Sequence, residues 1–201
     1  MDATVRQMIE ELTEAGARHD ATKADRLDRW RVLEPDAGRF VWFLAQAVTA
    51  RNIVEIGTSR GVSTLWLADA ARATGGRVLS LDTDESAQRD AQRTTEAVGL
   101  GDHVEFRLSD GGAVLAAIPD GTVDLLFLDA ERTEYPSWWP DPVRVLRPDG
   151  GVLIADNALS HPEELAPVRE LLEREPDLAV TTLAVGKGEL VAVRSVLLAS
   201  S

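Results

Sequence analysis

The chain has 201 residues, of which 44% are apolar and 27% charged, so its size and composition fit one globular domain with a substantial core. A formal net charge of −13 and an isoelectric point near 4.6 argue against polyanion partners, nucleic acid above all, and favour small neutral or cationic ligands. The absence of cysteine excludes disulfides, zinc–thiolate sites and cysteine nucleophiles.

No apolar run is long enough for a membrane span, and the opening MDATVRQMIEELTE lacks the basic and apolar regions of a secretion signal. A cytoplasmic protein is therefore expected. Residues 1–50 read as a helical cap and 51–201 as the α/β body, within one compact unit. In the cap, Val5, Ile9 and Leu12 recur at helical spacing, Leu27, Trp30 and Leu33 suggest a second helix, and Phe40 to Ala47 a third. Pro35 separates the last two, since proline suits a helix start and breaks an interior.

Beyond residue 51 short apolar runs alternate with amphipathic stretches. Strands are predicted at 52–56, 78–81, 104–108, 123–128 and 152–155, and helices at 61–73, 86–98, 111–118, 136–147 and 162–174. Such alternation predicts a doubly wound, mostly parallel sheet with helices on both faces. Residues 178–185 and 189–196, joined by Gly186-Lys187-Gly188, predict a closing hairpin.

The segment Val54-Glu55-Ile56-Gly57-Thr58-Ser59-Arg60-Gly61-Val62-Ser63 follows a strand and opens a helix. Its glycines permit a tight turn and close backbone approach to a ligand. Three functional readings compete. A dinucleotide site lacks its second glycine, which is Ser59, and Glu55 would oppose a pyrophosphate. A hydrolase elbow is formally present as Gly57-Thr58-Ser59-Arg60-Gly61, with Asp129 or Asp156 and then His161 in order, but on the first strand and without an upstream His-Gly-Gly loop. A nucleoside-amino-acid site would use the glycine loop and Asp82, which ends the second strand about 20 residues on, where a ribose-binding acid is expected. An ordinary turn followed by a helix-capping Asp82 is the non-functional alternative.

Asp129 ends the fourth strand, and Asp156-Asn157 end the fifth. Ligands bind beyond the carboxyl ends of parallel strands. Two carboxylates and an amide oxygen there suit Mg²⁺, Ca²⁺ or Mn²⁺; helix capping explains the same residues equally well. His161 is read as a helix-start residue, with a catalytic base as the alternative. His19 and His103 are read as structural, and Trp30, Trp42 and Phe43 as core. Trp138 and Trp139 are read as core, with an acceptor-pocket wall as the alternative.

Val54–Ser63 with Thr64-Leu65-Trp66-Leu67-Ala68, Leu81-Asp82, Phe127-Leu128-Asp129-Ala130 and Ala155-Asp156-Asn157 together resemble the catechol O-methyltransferase-like family of S-adenosylmethionine-dependent O-methyltransferases. The resemblance covers about residues 35 to 196 and implies a Rossmann-like sheet of seven strands, the last antiparallel. It implies that Glu55, Gly57, Thr58, Ser59, Gly61 and Ser63 line the methionine part of S-adenosylmethionine, that Asp82 holds the ribose, and that Asp110 and Gly111 lie by the adenine. Asp129, Asp156 and Asn157 match the family's Mg²⁺ ligands, and Asp129 would also face the cofactor's amino group. The expected substrate is a small phenolic or hydroxylated methyl acceptor. A homodimer is compatible with the exposed helical leader and hairpin edge. A metal-independent N- or C-methyltransferase is the alternative within the class.

Two departures from the family stand out. Arg132 occupies the position of the lysine often proposed as base; arginine stays protonated, so its expected role is oxyanion stabilisation or binding of an acidic substrate. No acid lies between Val180 and Lys187, where catechol-type enzymes carry a glutamate, which argues against a simple catechol acceptor.

Overall fold

The computed structural model describes residues 1–25 and 29–195. Two helices lead the chain, α1 (Ala3–Asp20) and α2 (Pro35–Ala47). The Asp2 side chain accepts from the Thr4 N–H to start α1, and Pro35 occupies the first turn of α2. The predicted middle helix does not form at Trp30 and Leu33; Leu27 lies outside the described residues. Pro35 disfavours helical geometry in the residue before it, and Asp20 draws the Trp30 and Arg31 N–H groups into a turn instead.

The body alternates β1 (Asn52–Ile56), α3 (Val62–Thr74), β2 (Arg77–Asp82), α4 (Glu85–Ala97), β3 (Val104–Leu108), α5 (Gly111–Ala117), β4 (Leu125–Leu128), α6 (Asp141–Arg144), β5 (Asp149–Ala155), α7 (Pro162–Glu173), β6 (Leu178–Leu183) and β7 (Glu189–Ser195). The sheet order is β3-β2-β1-β4-β5-β7-β6. All pairings are parallel except those of β7, which runs antiparallel to both β5 and β6. The hairpin thus folds back, so that β7 lies inside the sheet and β6 forms the edge. The single helix predicted at 136–147 is replaced by a 3-10 helix at Arg132–Trp138 followed by α6. Pro136, Pro140 and Pro142 each remove a backbone donor from that stretch.

Successive strand residues feed opposite faces. Ile53, Leu125, Phe127, Val152 and Ile154 join a core with α1, α2 and α3 residues, including Val5, Val41 and Leu65. Val54, Ile56, Leu126, Leu128, Leu153 and Ala155 join the other, with Leu115, Tyr135 and Leu165. Central strands buried on both sides explain the unbroken apolar run Leu125–Leu128, all four residues of which are fully buried. The helical leader shares the first core with α3. Phe43, expected inside, is instead 65% exposed. Among the described residues no helix is long and apolar enough to cross a membrane.

Candidate active site

The carboxyl ends of β1, β2, β3 and β4 open into a cleft of about 460 Å³, and Gly57, Ser59, Asp82, Asp110, Gly111 and Asp129 all line it. The loop after β1 makes the opening. Gly57 has φ +107, and a Cβ there would lie 2.3 Å from the Asp129 carbonyl oxygen. Its N–H donates to the Leu81 carbonyl at 2.8 Å, and Asp129 N–H donates to Ile56 at 2.9 Å. The loop is thus fastened to both neighbouring strand tips, in a space that only glycine leaves free. Ser59 follows in the left-handed region at φ +46, held by a 2.7 Å bond from its N–H to Asp82 Oδ2. Asp82 Oδ1 accepts from the Asp84 N–H at 2.9 Å. Capping of α4 falls to Asp84, which accepts from Ser86 and Ala87, so Asp82 is not that helix's cap. Asp110 does cap α5, through Ala113 N–H at 2.8 Å, while also lining the cleft.

Four of the expected cofactor residues lie beneath the cleft wall rather than on it. Glu55, Thr58 and Ser63 are buried, and Gly61 caps α3 at φ +81. Glu55 Oε2 accepts from Thr64 Oγ1 at 2.6 Å and Ser80 Oγ at 2.5 Å, and Ser80 also bonds Thr58 Oγ1 at 2.7 Å. This knot pins β1, α3 and β2 together under the loop. Glu55 Oε1 is buried without a partner among the described residues. Burial pushes the Glu55 carboxyl up from 4.5 to about 7, against the pull of its hydroxyl donors.

A pH dependence follows. The folded chain holds a proton on Glu55 that the unfolded chain releases above 4.5, so this stabilisation is complete below that pH and is lost as pH rises through about 7. The melting temperature of the ligand-free chain is expected to fall between roughly pH 5 and pH 8, and Glu55→Gln to flatten that slope. Identical slopes in variant and parent would contradict the assignment to Glu55.

Next to the cleft, β4 and β5 end in register, Leu128 beside Ala155, which brings Asp129 and Asp156 side by side. Asn157 adopts φ +72 and turns back, its backbone N–H and Nδ2 donating to Asp156 at 2.6 and 2.7 Å. Burial, then the charges of Asp156 and Glu55, hold Asp129 well above the usual carboxylate range. Burial pushes Asp156 up to about 6.

A third acid joins them that the sequence reading did not identify. Glu189, the first residue of β7, is fully buried, and neither carboxyl oxygen has a hydrogen-bond partner among the described residues. Burial, then the charges of Asp156 and Asp129, push its carboxyl up to about 10. Its signal was position alone: the antiparallel turn at 186–188 returns the chain to the tip of β5. Lys187 in that turn pairs with Glu34, just before α2. The donor set at these tips is all oxygen, and its surplus of buried acid suits a hard divalent cation. Among the described residues, however, no three His, Cys, Asp or Glu side chains are already grouped to hold one.

Arg132 lies 3% exposed, with Nε and Nη2 at 2.8 and 2.7 Å from Glu164 of α7, so its charge is already committed to an ion pair. Ser59 Oγ donates to the Trp30 carbonyl at 3.1 Å, and His161, at the cap of α7, lies 2.9 Å from Ser160 Oγ. The serine hydroxyl is therefore turned away from any hydrolase role. Trp30, expected in the core, instead stacks on His19 at 4.6 Å, Arg60 covers Trp30 at 5.0 Å, and all three line the cleft. Trp138 lines the opposite end of the same cleft with Asp110 and Gly111, and Trp139 packs partly buried against the second core.

If Asp82 both shapes the loop and holds the ribose, Asp82→Ala should weaken S-adenosylhomocysteine binding about thirtyfold, the loss of one or two charge-assisted hydrogen bonds. Calorimetry checks this; an unchanged dissociation constant would remove Asp82 from the site.

A glycine loop on the first strand, an acid ending the second and a reversed seventh strand define an S-adenosylmethionine-dependent methyltransferase of the Rossmann-like class. The family model for O-methyltransferases matches residues 2–190, and the chain belongs to that family. It is 31% identical to a catechol O-methyltransferase of Mycobacterium tuberculosis over 148 residues, 74% of this chain and 64% of that one. The O-methyltransferase of Bacillus cereus, solved in complex with SAH, superposes with a TM-score of 0.76 at 28% identity, covering 96% and 91% of the two chains. A methyltransferase from Geobacter sulfurreducens gives 0.74 at 26% identity, covering 96% and 90%.

Proposed function

We propose that this O-methyltransferase transfers a methyl group to the hydroxyl of a small phenolic or similarly hydroxylated molecule with the help of a divalent cation, Mg²⁺ in the first instance. The observation that carries the reading is the meeting of Asp129, Asp156 and Asn157 at the neighbouring tips of β4 and β5, where burial and the repulsion of Asp156 raise the Asp129 carboxyl. Asp129, Asp156 and the Asn157 amide oxygen would hold the ion. It would lower the pKa of the acceptor hydroxyl and orient it, while S-adenosylmethionine supplies an already activated methyl.

The chain's own residues do the positioning. Gly57 and Asp129 bring the cofactor's amino-acid end to the tip of β4. Asp82, Asp110 and Gly111 take the ribose and adenine along the cleft. A smaller cavity shares six lining residues with the cleft, Arg31 and Asp129 among them, and adds Asn157 and His161, which supports assigning the acceptor to it. Two reactants fixed on either side of Asp129 meet as an effectively unimolecular pair.

Chelation tests the proposal. With a catechol or another phenolic acceptor, excess EDTA should reduce turnover at least about tenfold and added Mg²⁺ should restore it. Full activity in chelator would show that O-methylation here needs no metal. No turnover of any phenol, together with chelator-resistant turnover of an amine or carbon acceptor, would favour the N- or C-methyltransferase reading.

A further inference from the structure

The smaller cavity encloses about 260 Å³ and is walled by Arg29, Arg31, Arg132, His161 and Lys187, with Asp129 as its carboxylate. Four of these are arginine or lysine, a concentration of basic groups in a chain of net charge −13. Two of these cations are already balanced by acids, Arg132 by Glu164 and Lys187 by Glu34. Arg29 and Arg31 are different. The Arg29 guanidinium donates from Nε and Nη2 to the Lys23 carbonyl at 3.1 and 3.0 Å, bonds to a neutral group, and no acid pairs with it among the described residues. The Arg31 guanidinium forms no hydrogen bond or ion pair among the described residues; it acts on Asp129 only through its field.

The backbone shows that Arg31 is placed there at a cost. It sits at φ +49, a left-handed conformation that arginine rarely adopts. The carboxylate of Asp20, the last residue of α1, enforces it by accepting the N–H groups of Trp30 and Arg31 at 2.7 and 3.1 Å. The strained residue is also one of those shared by the cleft and the smaller cavity. The turn thus fixes the Arg31 backbone at the edge shared by the cleft and the smaller cavity, and leaves its guanidinium available to a ligand there.

We propose that the methyl acceptor is an acid, a small hydroxylated carboxylate, and that Arg31, supported by Arg29, binds its carboxylate while its hydroxyl faces Asp129. The inference rests on the methyltransferase reading above. A guanidinium fork matches a carboxylate in two parallel hydrogen bonds. A cavity of about 260 Å³ lies just below the range of roughly 300–1,000 Å³ that holds drug-sized ligands, which points to a compact, single-ring acid. The surrounding negative field disfavours an acceptor with several phosphates.

The test uses the chain saturated with S-adenosylhomocysteine and Mg²⁺, titrated at neutral pH with a dihydroxybenzoate and with the matching dihydroxybenzamide. The acid should bind at least about tenfold more tightly than the amide, with a preference that shrinks as salt is added. Arg31→Gln should remove the preference by weakening the acid alone, and Arg31→Lys should keep part of it. The salt series on the unaltered chain reads the same preference should a variant fail to fold. Equal binding of acid and amide, or binding of neither, overturns the proposal. So does an Arg31→Gln variant that loses affinity for S-adenosylhomocysteine while keeping the acid preference, since that assigns Arg31 to the cofactor's own carboxylate. Failure of the methyltransferase reading shows separately, as no heat with S-adenosylhomocysteine itself.

Discussion

Asp156→Ala is expected to lower methyl transfer by about a hundredfold or more, roughly 3 kcal/mol of transition-state stabilisation, while cofactor affinity stays near that of the parent. The separation follows from placement. Asp156 is 3% exposed at the tip of β5 and is absent from the walls of the cleft proposed for the cofactor, whereas Asp129 lines it. Removing Asp156 also takes a negative charge away from Asp129 and Glu189, both of which its charge pushes upward, so the ligand-free fold loses little. The residual activity should no longer respond to chelator. Parental turnover in the variant, still sensitive to EDTA, would move the ion elsewhere. Weakened S-adenosylhomocysteine binding equal to the loss of turnover would make Asp156 part of the cofactor site instead.

Gly57→Ala is expected to destabilise the fold by about 3 kcal/mol and to abolish measurable cofactor binding. The added methyl would meet the Asp129 carbonyl oxygen at 2.3 Å and its carbon at 2.6 Å, both backbone atoms that cannot swing aside. At φ +107 the new side chain would also be strained on its own account. Relief requires β1 and β4 to part at their tips, where donor and acceptor are to be brought together. Gly75→Ala is the control. It too has a positive φ, +72, but its Cβ would meet nothing within 4 Å, so it should cost only the backbone strain. Chemical denaturation of the two variants separates these terms. Equal losses would show that the contact with Asp129 does not matter.

The body of the fold was readable because its elements carry strong local signals. Leu125–Leu128 is apolar on both faces and lies in the middle of the sheet; the hairpin announces itself through Gly186 and Gly188, at φ +55 and +98. Ser59 and Asp82 were legible because loop and acid belong to adjacent strands in a fixed order. What escaped depended on distant partners. The stretch around Trp30 has helical spacing, but Asp20 and Pro35 at its two ends impose another conformation. For Glu55 the sequence suggests a cofactor ligand but not its burial beneath the loop, which depends on hydroxyls of Thr64 and Ser80. Glu189 and Arg31 carry no motif. One reaches the site through the reversed direction of β7, the other through a strained turn, and neither can be read from neighbouring residues.

Electrostatics then links the parts. The chain is acidic overall and gathers buried acid at the tips of β4, β5 and β7, where a cation or the cofactor's ammonium group would be drawn. Basic side chains concentrate a short way off, around Arg29 and Arg31. Such a gradient would orient the acidic acceptor proposed above, hydroxyl toward Asp129 and carboxylate toward Arg31.

Calorimetric titration of the unaltered chain with S-adenosylhomocysteine tests the whole account most directly. One molecule should bind per chain with a micromolar dissociation constant and raise the melting temperature. Neither heat nor a thermal shift at millimolar ligand would mean that the cleft between Gly57 and Asp82 serves another purpose.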